Sequence, residues 1–81
     1  MKALNAMQAL TTDMGLTLTV NEIVPEGDDH NLIKFTVMKG QTSERFEIDD
    51  YGDGTWLLNP MNAQKTTSET LEHARISFQS I

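Results

Sequence analysis

The chain has 81 residues, no cysteine and a formal net charge of −6. That length makes one domain, near the lower limit for a core that folds unaided. The missing thiols exclude a disulfide framework, a thiolate zinc site and a cysteine nucleophile. Apolar runs reach only a few residues, and residues 1–16 mix polar and apolar positions, so neither a membrane-spanning helix nor a secretory signal is expected. The reading is a soluble, cytoplasmic protein with no membrane association.

In chain order, Lys2 to Met14 reads as a helix. Leu4, Met7, Leu10 and Met14 recur at spacings of three and four beside Ala3 and Ala6, giving one apolar stripe. Gly15 then suits the left-handed residue that closes a helix. Leu16 to Val24 reads as a strand in which Leu16, Leu18 and Val20 alternate with Thr17, Thr19 and Asn21. Ile23 breaks that parity, which predicts a bulge or a strand end. Residues 25–31, Pro-Glu-Gly-Asp-Asp-His-Asn, are a turn by composition.

A hairpin follows from Asn31 to Asp50, with its turn near Lys39-Gly40-Gln41. Ile33, Phe35 and Val37 share one face, as do Phe46 and Ile48, while Leu32, Lys34, Thr36 and Met38 fall on the other. Tyr51-Gly52-Asp53-Gly54 is the next turn, and Thr55 to Leu58 a short fourth strand or an extension of the sheet edge, with Trp56 and Leu58 in phase. Two helix starts are signalled beyond it. Asn59-Pro60 offers a cap and a first-turn proline; Thr66-Thr67-Ser68-Glu69 fits a capping box and is preferred, because three hydroxyl residues weaken a helix interior. The stripe of that helix is Leu71, Ala74 (or Arg75), Phe78 and Ile81, with Ile76 off it.

The order α-β-β-β-(β)-α, with short connections throughout, predicts an α+β fold. It is a two-layer sandwich in which an antiparallel sheet of three to four strands carries the N- and C-terminal helices on one face.

The negative charge is unevenly placed. Residues 21–29 hold Glu22, Glu26, Asp28 and Asp29 with no basic residue, a charge of −4. Residues 44–54 hold Glu44, Glu47, Asp49, Asp50 and Asp53 against Arg45, again −4. Such segments repel phosphate backbones and attract a basic protein, so direct nucleic-acid binding is not expected. The bland alternative is a solubilising surface. Tyr51 and Trp56 flank the second segment. Tyr51 is a candidate anchor for a partner, whereas Trp56 is assigned to the core.

Catalytic and metal motifs are not expected. Read as a calcium loop from Asp49, the chain has Tyr51 at position three and Pro60 at position twelve, so the bidentate glutamate is missing. His30, beside Asp28 and Asp29, and His73, beside Glu72, do not have the spacing of a metal pair. Glu26 with His30, or Asp53 with His73, can be drawn as acid–base pairs, but solvated surface groups are the better reading. Ser43, Ser68, Ser77 and Ser80 lie in no nucleophile elbow, and Gly52 and Gly54 precede a strand rather than the helix a phosphate loop needs.

Two resemblances concern element order. The α-β-β-β-α order is similar to that of double-stranded-RNA-binding domains. The second helix there begins with basic residues, where this chain reads Gln64-Lys65-Thr66-Thr67-Ser68-Glu69. The stretch Met7 to Leu58, with a helix ending at Met14-Gly15-Leu16 and then strands with acidic turns, resembles the N-terminal half of the small acidic chaperones of type III secretion systems. That resemblance implies dimerisation and the holding of an unfolded effector segment. This chain has one helix where that family continues with further strands and a helix.

The function expected from these readings is a small non-enzymatic binding protein of inhibitor or adaptor type, without cofactor or metal. It would engage a basic surface on a protein partner, such as a nucleic-acid-handling protein, through Glu44, Glu47, Asp49, Asp50, Tyr51 and Asp53, with Glu26, Asp28 and Asp29 as a second cluster. The alternative is a homodimer or assembly component using the Leu32/Met38 face or an unpaired sheet edge.

Overall fold

Alternation along the chain sorts its side chains onto the two faces of one sheet. In a computed structural model, which describes residues 2–28, 30–60 and 64–81, the order is helix α1 (Lys2–Asp13), strands β1 (Thr17–Pro25), β2 (Asn31–Lys39), β3 (Thr42–Asp50), β4 (Thr55–Asn59) and β5 (Gln64–Thr66), and helix α2 (Thr67–Gln79). The strands form a single antiparallel meander in the order β1-β2-β3-β4-β5. The α+β class, the antiparallel sheet and the two terminal helices are as the sequence predicts.

The hairpin fixes the register of the sheet centre. Lys39 pairs with Thr42, so the loop is the two residues Gly40-Gln41, with Gly40 at φ 62°. Tight loops of this length favour positive φ because it matches the twist of the flanking strands. Pairing then runs from that loop to Asn31 opposite Asp50.

The parity slip in β1 is a bulge. Register shifts between Val20, opposite Phe35, and Glu22, opposite Lys34. Asn21 is the extra residue, and its Nδ2 donates to Thr36 Oγ1 at 2.8 Å. The inserted residue returns Ile23 to the covered face opposite Ile33, and the strand continues to Pro25.

Both helices cover one face. Ala3, Met7 and Leu10 of α1 and Ala74 and Phe78 of α2 pack into one core with Ile33, Phe35, Val37, Phe46, Ile48, Trp56 and Leu58. All three phenylalanines of the chain meet there. Phe35 stacks on Phe46 at 5.7 Å between ring centroids, and Phe78 meets both edge-on at 6.4 and 5.0 Å. The helix stripes are shifted slightly from the sequence reading. Thr11 and Thr70 are buried, Leu4, Met14, Leu71 and Ile81 are half-buried, and Arg75 and Ile76 are exposed. Buried threonine is tolerated because each hydroxyl donates back along its own chain, Thr11 to Met7 O at 3.0 Å and Thr70 to Thr66 O at 2.8 Å.

The ends of the helices follow their signals. Gly15, at φ 73°, allows Leu16 N–H to donate to Thr11 O and Gly15 N–H to Thr12 O, the paired bonds that close a helix with a left-handed residue. Thr66 caps α2, its hydroxyl accepting from Glu69 N–H while the Glu69 carboxylate accepts from Thr66 N–H. One element has no counterpart in the sequence reading. The three-residue β5 pairs Thr55 with Thr66, Trp56 with Lys65 and Leu57 with Gln64. A strand of three polar residues carries no alternation to detect. Asn59 ends β4 opposite Glu47 instead of capping a helix.

Candidate functional site at the loop end of the open sheet face

The uncovered face is built in cross-strand rows. One row is Val24, Leu32, Asp49, Leu57 and Gln64. One step beyond it, at the loop end, Glu26 N–H donates to His30 O at 2.8 Å and Tyr51 N–H donates to Thr55 O at 3.3 Å. Because strand side chains alternate, Tyr51 lies on the same face as Asp49, beside His30. Neither row contains a lysine or an arginine.

These rows bring together four residues from two loops and a strand. His30 Nε2 lies 3.2 Å from Asp49 Oδ1 and 3.7 Å from Glu26 Oε2. The imidazole packs against the Tyr51 ring, with centroids 4.6 Å apart and planes tilted by 32°. Side-chain exposure is 38% for Glu26, 28% for His30 and 16% for Asp49, so the group opens to solvent through the loop. The Tyr51 phenol is pushed above its ordinary pKa, first by its partial burial and then by the negative charge of Asp49, Glu26 and Asp53. The local potential is therefore negative. Tyr51 is half-buried in its turn, with the His30 ring packed against it.

The remaining acidic candidates have different surroundings. Asp50 points to the covered face, opposite Trp56. It is buried, its Oδ2 accepting from Ala3 N–H at 3.2 Å and its Oδ1 from Gly52 N–H at 3.1 Å. It caps α1 from a distance and offers no charge to a partner. Asp53 is exposed but turned into its own loop, where it accepts from the Thr55 N–H at 2.9 Å and from the Thr55 hydroxyl. Glu47 is half-buried on the open face, in a row with Lys34, which also pairs with Glu22 at 3.6 Å. Glu44 is exposed at the hairpin end, five residues before Asp49, or about 16 Å away at the ordinary strand rise. Asp28 is exposed in the β1–β2 loop, and Asp29 lies outside the described residues. The eight described candidates thus divide into a converging group of Glu26, Asp49 and Tyr51, Asp28 exposed in the loop that carries Glu26, two structural carboxylates, and Glu44 and Glu47 farther along β3. His30, not among the candidates, is the residue that joins the group.

The Leu32 and Met38 pair on this face is not contiguous. Lys34 and Thr36 stand between them on β2, and Met38 is 38% exposed beside the hairpin. The apolar neighbours of Leu32 are instead Val24 opposite it and, across Asp49, Leu57.

Two carboxylates make an acid-sensitive contribution to stability. Hydrogen bonds from the Thr55 hydroxyl and N–H hold Asp53 below its ordinary pKa of 3.8, and those from the Thr66 hydroxyl and N–H hold Glu69 below 4.5. Carboxylates with depressed pKa values stabilise the fold fully above the unfolded-state values and lose that contribution as pH falls through the folded ones. Asp53→Asn and Glu69→Gln together are expected to flatten the fall of the urea midpoint below those ordinary values. An acid limb as steep as in the parent chain would refute the assignment.

Among the described residues, no helix is long and apolar enough to cross a membrane. No family model, curated protein or solved structure matches the chain.

Proposed function

We propose that the chain is a non-enzymatic, cytoplasmic binding protein that presents the loop end of its open sheet face to a basic surface of a protein partner. One observation carries the reading: Glu26 and Asp49 lie with half-buried Val24, Leu32, Leu57 and Tyr51 in cross-strand rows without lysine or arginine, and Asp28 is exposed in the loop that carries Glu26. Uncompensated carboxylates steer a cationic partner, and the apolar row supplies surface to desolvate on contact. A nucleic-acid-handling protein, whose own binding groove is basic, fits this chemistry.

The test compares capture by the tagged chain with capture by Glu26→Gln/Asp28→Asn/Asp49→Asn, at low and high salt. A stoichiometric basic partner is expected to be lost at high salt and by the triple variant, and retained by the control Glu72→Gln on α2. Equal capture by the triple variant would overturn the reading. A second reading, self-association, has its own observation. β1 is nine residues long and lies at the edge of the sheet, although the bulge at Asn21 interrupts it as a template for pairing. A mass in solution that rises with concentration and is insensitive to salt would favour that reading.

A further inference from the structure

We propose that Glu26, His30 and Asp49 form a binding site for a divalent ion of the zinc class. Each offers one donor atom, and the three atoms lie within 4.8 Å of one another, the one such group among the described residues. Zinc bonds of 2.0–2.2 Å to nitrogen and oxygen imply donor-to-donor edges of about 3.3–3.6 Å in a tetrahedron. The observed edges from His30 Nε2 are 3.2 Å to Asp49 and 3.7 Å to Glu26. Small movements of side chains that are already convergent therefore complete three corners.

The hydrogen-bond inventory points the same way. Two carboxylates converge on one imidazole nitrogen, and Nε2 can carry only one proton. That proton serves one carboxylate well and leaves the other anion close by without a matching donor. A divalent ion in place of the proton engages all three groups and neutralises both carboxylates. Tyr51, packed against the imidazole, holds the ring plane so that its nitrogen faces the acids, the orienting role that groups around a metal site commonly play. The donor set also selects the ion. One imidazole and two carboxylates suit zinc and its neighbours, whereas calcium and magnesium require more oxygen ligands.

The consequence for the fold is a clip. Glu26 and His30 belong to the β1–β2 connection and Asp49 to β3, so the ion would tie that loop to the third strand. The fourth corner would face solvent, open to water or to a donor from a partner.

The inference goes beyond the binding role and is tested on the purified chain alone. Calorimetric titration with Zn2+ is expected to show one ion per chain, and Co2+ to give visible absorption bands of a low-coordinate site. Binding should weaken by about tenfold or more in Glu26→Gln, His30→Ala and Asp49→Asn, and remain unchanged in His73→Ala. Zn2+ should raise the Tm of the parent and of His73→Ala but not of His30→Ala, whose folding is checked by circular dichroism. Absence of Zn2+ binding, affinity preserved in the three ligand variants, or affinity lost in His73→Ala would each overturn the proposal. Tighter binding of Ca2+ than of Zn2+ would overturn the choice of ion.

Discussion

Phe35→Ala is expected to destabilise the fold by about 3–5 kcal/mol, the usual cost of removing a buried aromatic ring. Phe35 has no exposed surface and sits on a central strand. It is the cross-strand partner of Phe46 and also meets Phe78 of α2, so one ring joins two strands and a helix. An 81-residue domain has a total stability of about 4–12 kcal/mol at the usual increment per residue. The substitution therefore removes about a quarter of that stability or more, and at the bottom of the range it leaves the chain unfolded. The check is a urea titration followed by tryptophan fluorescence, since Trp56 is buried in the same core. Leu57→Ala, on the open face, is the comparison and should cost much less. A Phe35→Ala midpoint no lower than that of Leu57→Ala would mean that the phenylalanine cluster is not the centre of the core.

Much of this architecture was legible because each signal acts locally. Gly40 in a two-residue turn fixes the register of the hairpin, and period-two alternation of Ile33, Phe35, Val37, Phe46 and Ile48 fixes which face is covered. The parity of Ile23 signalled a bulge or a strand end for the same reason, and the structure has the bulge: a strand can bury both Val20 and Ile23 on one face only by inserting a residue. The strand β5 was not legible, since Gln64-Lys65-Thr66 is stabilised by pairing with β4 rather than by any pattern of its own.

The site was legible only in part, because it depends on pairing between segments distant in sequence. Glu26 and His30 could be drawn together from their spacing. Asp49 could not, until the hairpin register was known. Lys39 opposite Thr42 leads by steps of one to Asn31 opposite Asp50, and one further step places His30 beside Tyr51 and diagonal to Asp49. Residues related in this way are within reach of long or aromatic side chains. Extending the register by that step would have found the histidine. Composition gave the opposite impression for Asp50, which counts as acidic surface in a charge sum but is enclosed in the fold. No sum over a segment distinguishes adjacent aspartates that point to opposite faces.

That enclosure sets the second large effect. Helix α1 has no acidic residue in its own first turn, so its unpaired amide groups and the positive end of its dipole need a negative group from elsewhere. Asp50 supplies it from β3, accepting from Ala3 N–H while its other oxygen accepts from Gly52 N–H. One carboxylate thus fastens the start of α1, the end of β3 and the turn that follows. Asp50→Ala removes both bonds and leaves two donors with poorer partners, an expected loss of about 2–3 kcal/mol for hydrogen bonds to a charged acceptor. Asp50→Asn should fall between, because its single carbonyl oxygen can replace one carboxylate oxygen while its amide group, a donor, faces the other N–H. The urea midpoint should therefore order as parent, Asn, Ala, and the Ala3 and Gly52 amides should exchange hydrogen faster in both variants. An Asp50→Asn chain as stable as the parent would show that the charge is dispensable and that α1 is held by Ala3, Met7 and Leu10 alone. The same ordering bears on binding. If Asp50→Asn weakens partner capture, it should do so in proportion to the lost fold, whereas Asp49→Asn, one residue away on the open face, should weaken capture while the midpoint stays near that of the parent.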